Sequence, residues 1–214
     1  VVAGANRGVV VNPPAQIQPA VVEIGHERSE GQFDPERYRF EMQDRFDWLY
    51  SEQVPLWDAA ILSAPVSPED LIAIQDYRCD SCGDDPNASS KVRVGVVKPV
   101  SLSVDFSELQ PGLVGRSGRL FANGMIQVAR DGGFVWTLGV ESPNASGVRV
   151  HLTDFSLPPD TELYIYNDNN EAFGPYTGKG PNEDGDFWTN TVFGPFAYLQ
   201  LRHYGRPTAA DLQS

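Results

Sequence analysis

From Gly133 to Gly205 the chain runs in short stretches of alternating apolar and polar residues, each cut off by Pro, Gly, Asn or Asp. Val148, Val150 and Leu152 alternate with Arg149, His151 and Thr153, and Leu163 and Ile165 with Tyr164 and Tyr166. Ala197, Leu199 and Leu201 alternate in the same way with Tyr198, Gln200 and Arg202. A period of two is what a strand buried on one face requires. The pattern predicts a mainly β fold, an antiparallel, jelly-roll-like β-sandwich. Further strands are expected at Val92–Val97, Val100–Phe106, Met125–Ala129 and Phe134–Val140, for roughly eight strands in all.

The chain upstream reads differently. Residues 1–33 are rich in Val, Pro, Gly and Gln without a sustained period and read as an extended arm. Val9, Val10, Val11, Val21 and Val22 could add a strand to a sheet edge. Asp34-Pro35-Glu36 opens a helix: Asp34 caps, Pro35 suits the first helical position, and Glu36 meets the positive end of the dipole. Tyr38, Met42, Phe46, Leu49 and Tyr50 then share one face, and the helix should stop before Pro55. Ser67-Pro68-Glu69-Asp70 repeats the capping logic for a shorter helix. Between the two, Leu56, Trp57, Ile61 and Leu62 read as packing residues. The expected organisation is a helical or irregular region over 1–90 with a polar linker near its end, a sandwich over 91–205 and a connector over 206–214. The aromatic helix must bury its face against something, and the sandwich is the nearest cover.

With 214 residues there is enough chain to bury a real core. The formal net charge of −13 and the lack of a Lys/Arg cluster argue against a nucleic-acid partner, which would draw on clustered cations to displace counterions. No apolar run of about 18 residues occurs, so no membrane span is expected. Val1-Val2-Ala3-Gly4 lacks an initiator Met and a signal-peptide pattern, which suggests a processed or trimmed chain.

Catalytic signals are sparse. Cys79-Asp80-Ser81-Cys82 is a lone CxxC with no second pair to complete a zinc site. Its acidic, loop-like surroundings favour a small local disulfide in an exported protein over a redox pair, with free thiols or a shared metal as further alternatives. Only His26, His151 and His203 are available as imidazole bases, and there is no Gly-Asp-Ser-Gly segment. Gly115-Arg116-Ser117-Gly118 is followed by Arg119 where a nucleophile elbow needs its closing glycine. His151 and His203 read as surface residues, and no catalytic residue is assigned. Two acidic turns offer oxygen ligands that suit Ca²⁺: Asp168 and Asn170 in one, Glu183, Asp184 and Asp186 in the other. Asn and Asp are also ordinary hairpin-turn residues. Tyr164, Tyr166 and Tyr198 could form an outward aromatic surface for sugars or a protein partner, or pack against the N-terminal helix or arm, whose apolar face needs a cover, whereas Trp136 and Trp188 are expected in the core.

One set of segments carries a family resemblance. Val135-Trp136-Thr137-Leu138, Glu141-Ser142-Pro143-Asn144-Ala145, Phe155-Ser156-Leu157-Pro158, Leu163-Tyr164-Ile165-Tyr166, Gly174-Pro175-Tyr176-Thr177 and Phe187-Trp188-Thr189 follow one another in order after Arg93–Val100. Over about residues 92–205 the chain resembles the non-catalytic β-sandwich preceding the trypsin-like domain in secreted bacterial serine proteases of the lysyl-endopeptidase-like group. The resemblance implies a secreted or periplasmic pro- or accessory region that is not itself an enzyme. Residues 1–90 would then be the pro-region proper, and the partner a trypsin-like protease domain, in cis or after cleavage. It implies a role by binding: aiding folding, holding the protease latent or presenting substrate. The competing expectation is an extracellular carbohydrate-binding or adhesion module, with Ca²⁺ as a possible structural ion and no other cofactor.

Overall fold

The computed structural model describes residues 34–75, 95–100, 102–106, 109 and 114–205. The arm over 1–33, Cys79 and Cys82, the start of the strand expected at Val92 and the connector over 206–214 lie outside the described residues. Glu41–Ser214 cluster as one compact unit and Val1–Phe40 as another.

Helix α1 spans Pro35–Glu52. The Asp34 Oδ1 accepts hydrogen bonds from the backbone N–H of Glu36 and Arg37 at 3.0 and 3.1 Å, as its sequence predicts. Its buried residues are Phe46 and Leu49, with Trp48 packed beside them. Tyr38 and Tyr50, expected on the same face, are exposed. A 3₁₀ turn at Asp58–Ala60 leads into strand β1 (Ile61–Ser63), a strand where only packing residues were expected, and Trp57 points to solvent. Helix α2 spans Pro68–Gln75. Ser67 and Asp70 cap it reciprocally: the Ser67 N–H donates to Asp70 Oδ2 at 2.8 Å, and the Asp70 N–H to Ser67 Oγ at 3.2 Å. Lys98 also pairs with Asp70. Hydrogen bonding from Lys98 and from the Ser67 backbone lowers the Asp70 carboxyl to about 2.

The fold is mainly β, with one large, largely antiparallel sheet. Its strands are β2 (Arg119–Phe121), β3 (Gly124–Val128), β4 (Phe134–Glu141), β7 (Thr161–Tyr166), β8 (Ala172–Tyr176) and β11 (Phe196–His203), in the order β2-β3-β4-β11-β7-β8. β1 joins in parallel along β4, pairing Ile61 with Gly139, beyond the stretch of β4 that β3 occupies. β11 lies at the centre, pairing with β4 from Phe196↔Glu141 to His203↔Phe134 and with β7 from Tyr198↔Tyr166 to His203↔Thr161. The β2–β3 connection is a two-residue hairpin with Ala122 and Asn123 both at positive φ, 45° and 58°, which matches the type I′ geometry that suits the twist of paired strands. Gly124 follows because the Trp136 ring lies where its Cβ would be.

Among the described residues the second layer consists of two two-stranded ladders, where a jelly roll would hold a full second sheet. These are β5 (Gly147–Val148) with β10 (Val192–Phe193), and β6 (His151–Leu152) with β9 (Phe187–Trp188). Val148, Val192 and Phe187 join Trp136, Leu138, Leu163, Ile165, Leu199 and Leu201 in one core cluster. The described residues of the strands expected over Val100–Phe106 and Val92–Val97 form no ladder. Leu102, Val104 and Phe106 contribute side chains to the core instead, and the Phe106 ring centroid lies 5.4 Å from that of Phe134 and 6.1 Å from that of Trp136.

The opposite sheet face is covered too. Phe46 and Leu49 of α1 pack on Tyr164, Tyr166 and Ala172, while Val54 and Ala60 pack on Met125 and Val135. Both phases of the alternating pattern are therefore buried, one beneath the small ladders and one beneath α1 and the segment that follows it.

Candidate functional site

The expected tyrosine surface is not on the outside. Tyr166 is fully buried and Tyr164 nearly so, because α1 lies over them, and Tyr198 is half-buried. The phenol of Tyr166 donates to Gln200 Oε1 at 2.7 Å, and Gln200 Nε2 donates to the Leu49 carbonyl at 3.2 Å, linking β7 through β11 to the helix backbone. Tyr164 donates to Glu162 Oε2 at 2.7 Å and meets the Trp48 ring edge-on at 5.4 Å. Burial pushes both phenols well above the usual tyrosine range, and Glu162 adds to the rise at Tyr164. Neutral, hydrogen-bonded phenols under a helix are packing groups with satisfied polar tips.

Next to them sits a buried cation. Arg202, on β11, is 3% exposed. Its Nε bonds Glu52 Oε2 at 2.8 Å at the end of α1, its Nη2 bonds Asp131 Oδ1 at 2.9 Å in the β3–β4 turn, and its Nη1 donates to the His203 carbonyl. Burial alone would raise the Asp131 carboxyl, but hydrogen bonds from Arg202 and from the N–H groups of Gly133 and Gly205 hold it below the usual range. The arrangement ties helix, turn and central strand together. His203, expected at the surface, is buried: its Nδ1 shares a 2.8 Å hydrogen bond with Thr161 Oγ1 and its ring stacks on Phe134 at 5.2 Å.

The acidic turns are largely engaged with the protein itself. Asn167 Oδ1 accepts the N–H groups of Asn169 and Glu171, and its Nδ2 donates to Glu171 Oε2 and the Phe193 carbonyl. Glu171 Oε2 in turn accepts the Phe193 N–H at 2.6 Å, so this turn stitches the β7–β8 hairpin to β10. Asp168 Oδ2 accepts from the Tyr198 phenol at 3.4 Å. Asn170 and Glu183 adopt positive φ of 62° and 60°, as turn residues. Asp184 Oδ1 accepts the Asp186 N–H, and Asp186 Oδ1 lies 2.6 Å from His151 Nε2. Among the described residues no three His, Cys, Asp or Glu side chains converge in a way that could hold a metal ion.

The remaining feature is a groove between the sheet and the segments covering it. It is open to solvent and runs along the 95–100, 102–106 and 144–158 segments; Leu138, Leu163, Leu199 and Leu201 of the sheet lie at its base but are themselves buried in the core. Arg149, His151 and Trp188 also line it. The β6–β9 register places Trp188 opposite His151. Their rings stack with centroids 4.6 Å apart and 14° between planes, and the Arg149 guanidinium carbon sits 4.5 Å from the Trp188 ring centroid. Trp188, read as core from the sequence, is 39% exposed. The sequence signal for this cluster is the polar phase of Arg149 and His151 beside Trp188, which becomes informative only once β6 and β9 are paired.

Among the described residues, His151 bonds Asp186 and no nucleophilic side chain. Ser117 lies on an exposed bend. No helix among the described residues is long and apolar enough to cross a membrane. No family model, curated protein or solved structure matches this chain.

Proposed function

We propose that this chain is a non-catalytic pro- or accessory module of a secreted trypsin-like serine protease and acts by binding. The observation that carries the reading is the position of the segments that bear the resemblance. Val135–Leu138 lie within β4, Leu163–Tyr166 within β7, Gly174–Tyr176 within β8 and Phe187–Trp188 on β9, so four of the six ordered motifs fall on strands of one packed scaffold. A scaffold whose motifs are packing residues suits a rigid platform for a partner domain better than a reaction centre. The exposed aromatic cluster at Trp188 would favour the carbohydrate-binding alternative if its ring were open, but His151 and Arg149 already lie against it.

The test is to read and express the coding frame through and beyond Ser214. A downstream His, Asp and Gly-Asp-Ser-Gly set, together with peptidase activity or refolding yield that changes when residues 34–205 are deleted, is the expected result. A frame without such a domain, or a protease indifferent to the deletion, overturns the reading.

A further inference from the structure

We propose that the outer face of the β6–β9 ladder is a self-complementary interface through which two copies of this chain pair about a two-fold axis, Arg149 of each copy meeting Asp186 of the other. Alternation decides which side chains this face carries. Val148, Val150, Phe187 and Val192 point inward to the core, so Arg149, His151, Asp186, Trp188 and Phe193 are left on the solvent side. Trp188 is 39% and Phe193 63% exposed. The Phe193 backbone is nonetheless clamped: its N–H donates to Glu171 Oε2, and its carbonyl accepts from Asn167 and Asn169. A fixed backbone therefore holds an aromatic ring in water. Exposed aromatic rings grouped with an arginine have the composition of a binding hot spot.

Charge and register choose the occupant. His151 pairs with Trp188 and Leu152 with Phe187, so in this antiparallel ladder Arg149 lies two residues to one side of the His151–Trp188 pair and Asp186 two residues to the other. Each charge thus starts roughly 7 Å along the backbone from the stacked rings, in opposite directions. A two-fold axis through those rings sets Arg149 of one copy against Asp186 of the other, and does so twice, as an isologous contact requires. Arg149 has no carboxylate within ion-pair distance among the described residues and is held by the Trp188 ring, while Asp186, 61% exposed, turns Oδ1 to His151. A guanidinium ordered by stacking loses little freedom when it pairs. A partner of one charge sign would meet either Arg149 or Asp186 unfavourably, whereas a second copy satisfies both. The formal net charge of −13 repels that copy at long range, but physiological salt screens the repulsion beyond about 8 Å. This inference stands apart from the protease reading, because the partner is the chain itself.

Sedimentation equilibrium of the whole chain from about 1 to about 300 µM in physiological salt tests the proposal, over a range that covers weak specific association. The mass is expected to rise with concentration from 23.5 kDa towards twice that value. Arg149→Glu and Asp186→Lys are each expected to weaken association at least about ten-fold, because each sets like charges across the axis. Mixed in equal amounts, the two variants are expected to associate within about threefold of the parent, since the mixed pair has opposite charges at both contacts. Both side chains are exposed, so each variant should keep the urea midpoint of the parent. A parent mass fixed at 23.5 kDa over the whole range overturns the proposal whatever the variants do. So does a dimer that survives both substitutions, or a mixture that stays monomeric while both variants remain folded.

Discussion

The two faces of the main sheet are buried by different chemistry. On one, Leu138, Leu163, Ile165, Leu199 and Leu201 meet other apolar side chains from the small ladders and the 102–106 segment. On the other, Gln200, Thr137, Tyr164, Tyr166 and Arg202 lie beneath α1 and depend on named partners: Leu49 O, Glu162, Glu52 and Asp131. An apolar face tolerates any cover of suitable shape, whereas a polar face is stable only under a cover that supplies the matching donors and acceptors. The difference explains why α1 docks in one register: Leu49 must bring its carbonyl to Gln200 while Glu52 reaches Arg202.

The sharpest way to break this contrast is to leave Arg202 buried and unpaired. The double substitution Glu52→Gln with Asp131→Asn is expected to cost about 3–5 kcal/mol, more than the sum of the single changes, read as a shift of the urea midpoint. Additive or negligible losses would mean that water reaches the guanidinium and that the clamp is not what seats α1. Gln200→Leu comes next, at about 1–3 kcal/mol, because it strands the Tyr166 hydroxyl and the Leu49 carbonyl. The same apolar swap on the other face, Leu138→Met, should cost less than about 1.5 kcal/mol. Equal costs for the two would erase the distinction between the faces. Ser67→Ala, at α2 and away from both faces, should cost about 1 kcal/mol as an ordinary lost cap.

The pH dependence should come mainly from the polar face and from the α2 cap. Tyr164, Tyr166 and Tyr204 are held protonated in the folded chain above their ordinary value, so their contribution is complete below pH about 10 and is lost as pH rises further. Asp70 and Asp131 lie below their ordinary value, so their contribution is complete above about pH 4 and is lost on acidification, for Asp70 as pH falls through about 2. Urea midpoints between pH 2 and 11.5 should form a plateau with both shoulders. Tyr166→Phe should flatten the alkaline one, and an unchanged alkaline limb in that variant would remove Tyr166 from this account.

Much of the architecture is legible in the residues. The Asp34 cap, the stop before Pro55, the Ser67–Asp70 box and the strands around Phe134–Val140, Leu163–Tyr166 and Ala197–Arg202 follow from local rules that the structure obeys. The failures have a common physical origin. Alternation reports that successive side chains point to opposite faces, but a polar residue beneath a helix and a polar residue in water look alike in sequence. Tyr164 and Tyr166 therefore read equally as an outward surface or as cover for the helix, His203 reads as outward and Trp188 as inward, and only the structure decides among them. β1 was missed because its three residues gain strand character only from β4 beside them, and the β2–β3 hairpin was missed because Ala122 is an uncommon residue at positive φ.

Sequence alone determined that this chain makes a β-rich core preceded by capped helices, because period, caps and turn residues act over a few residues and need no distant partner. Tertiary structure alone decided which phase of each strand meets α1, that Arg202 finds its carboxylates at Glu52 and Asp131, and that Arg149 and His151 gather at Trp188. Those outcomes depend on contacts between residues far apart in the chain, and burial and charge pairing are fixed only when such segments meet.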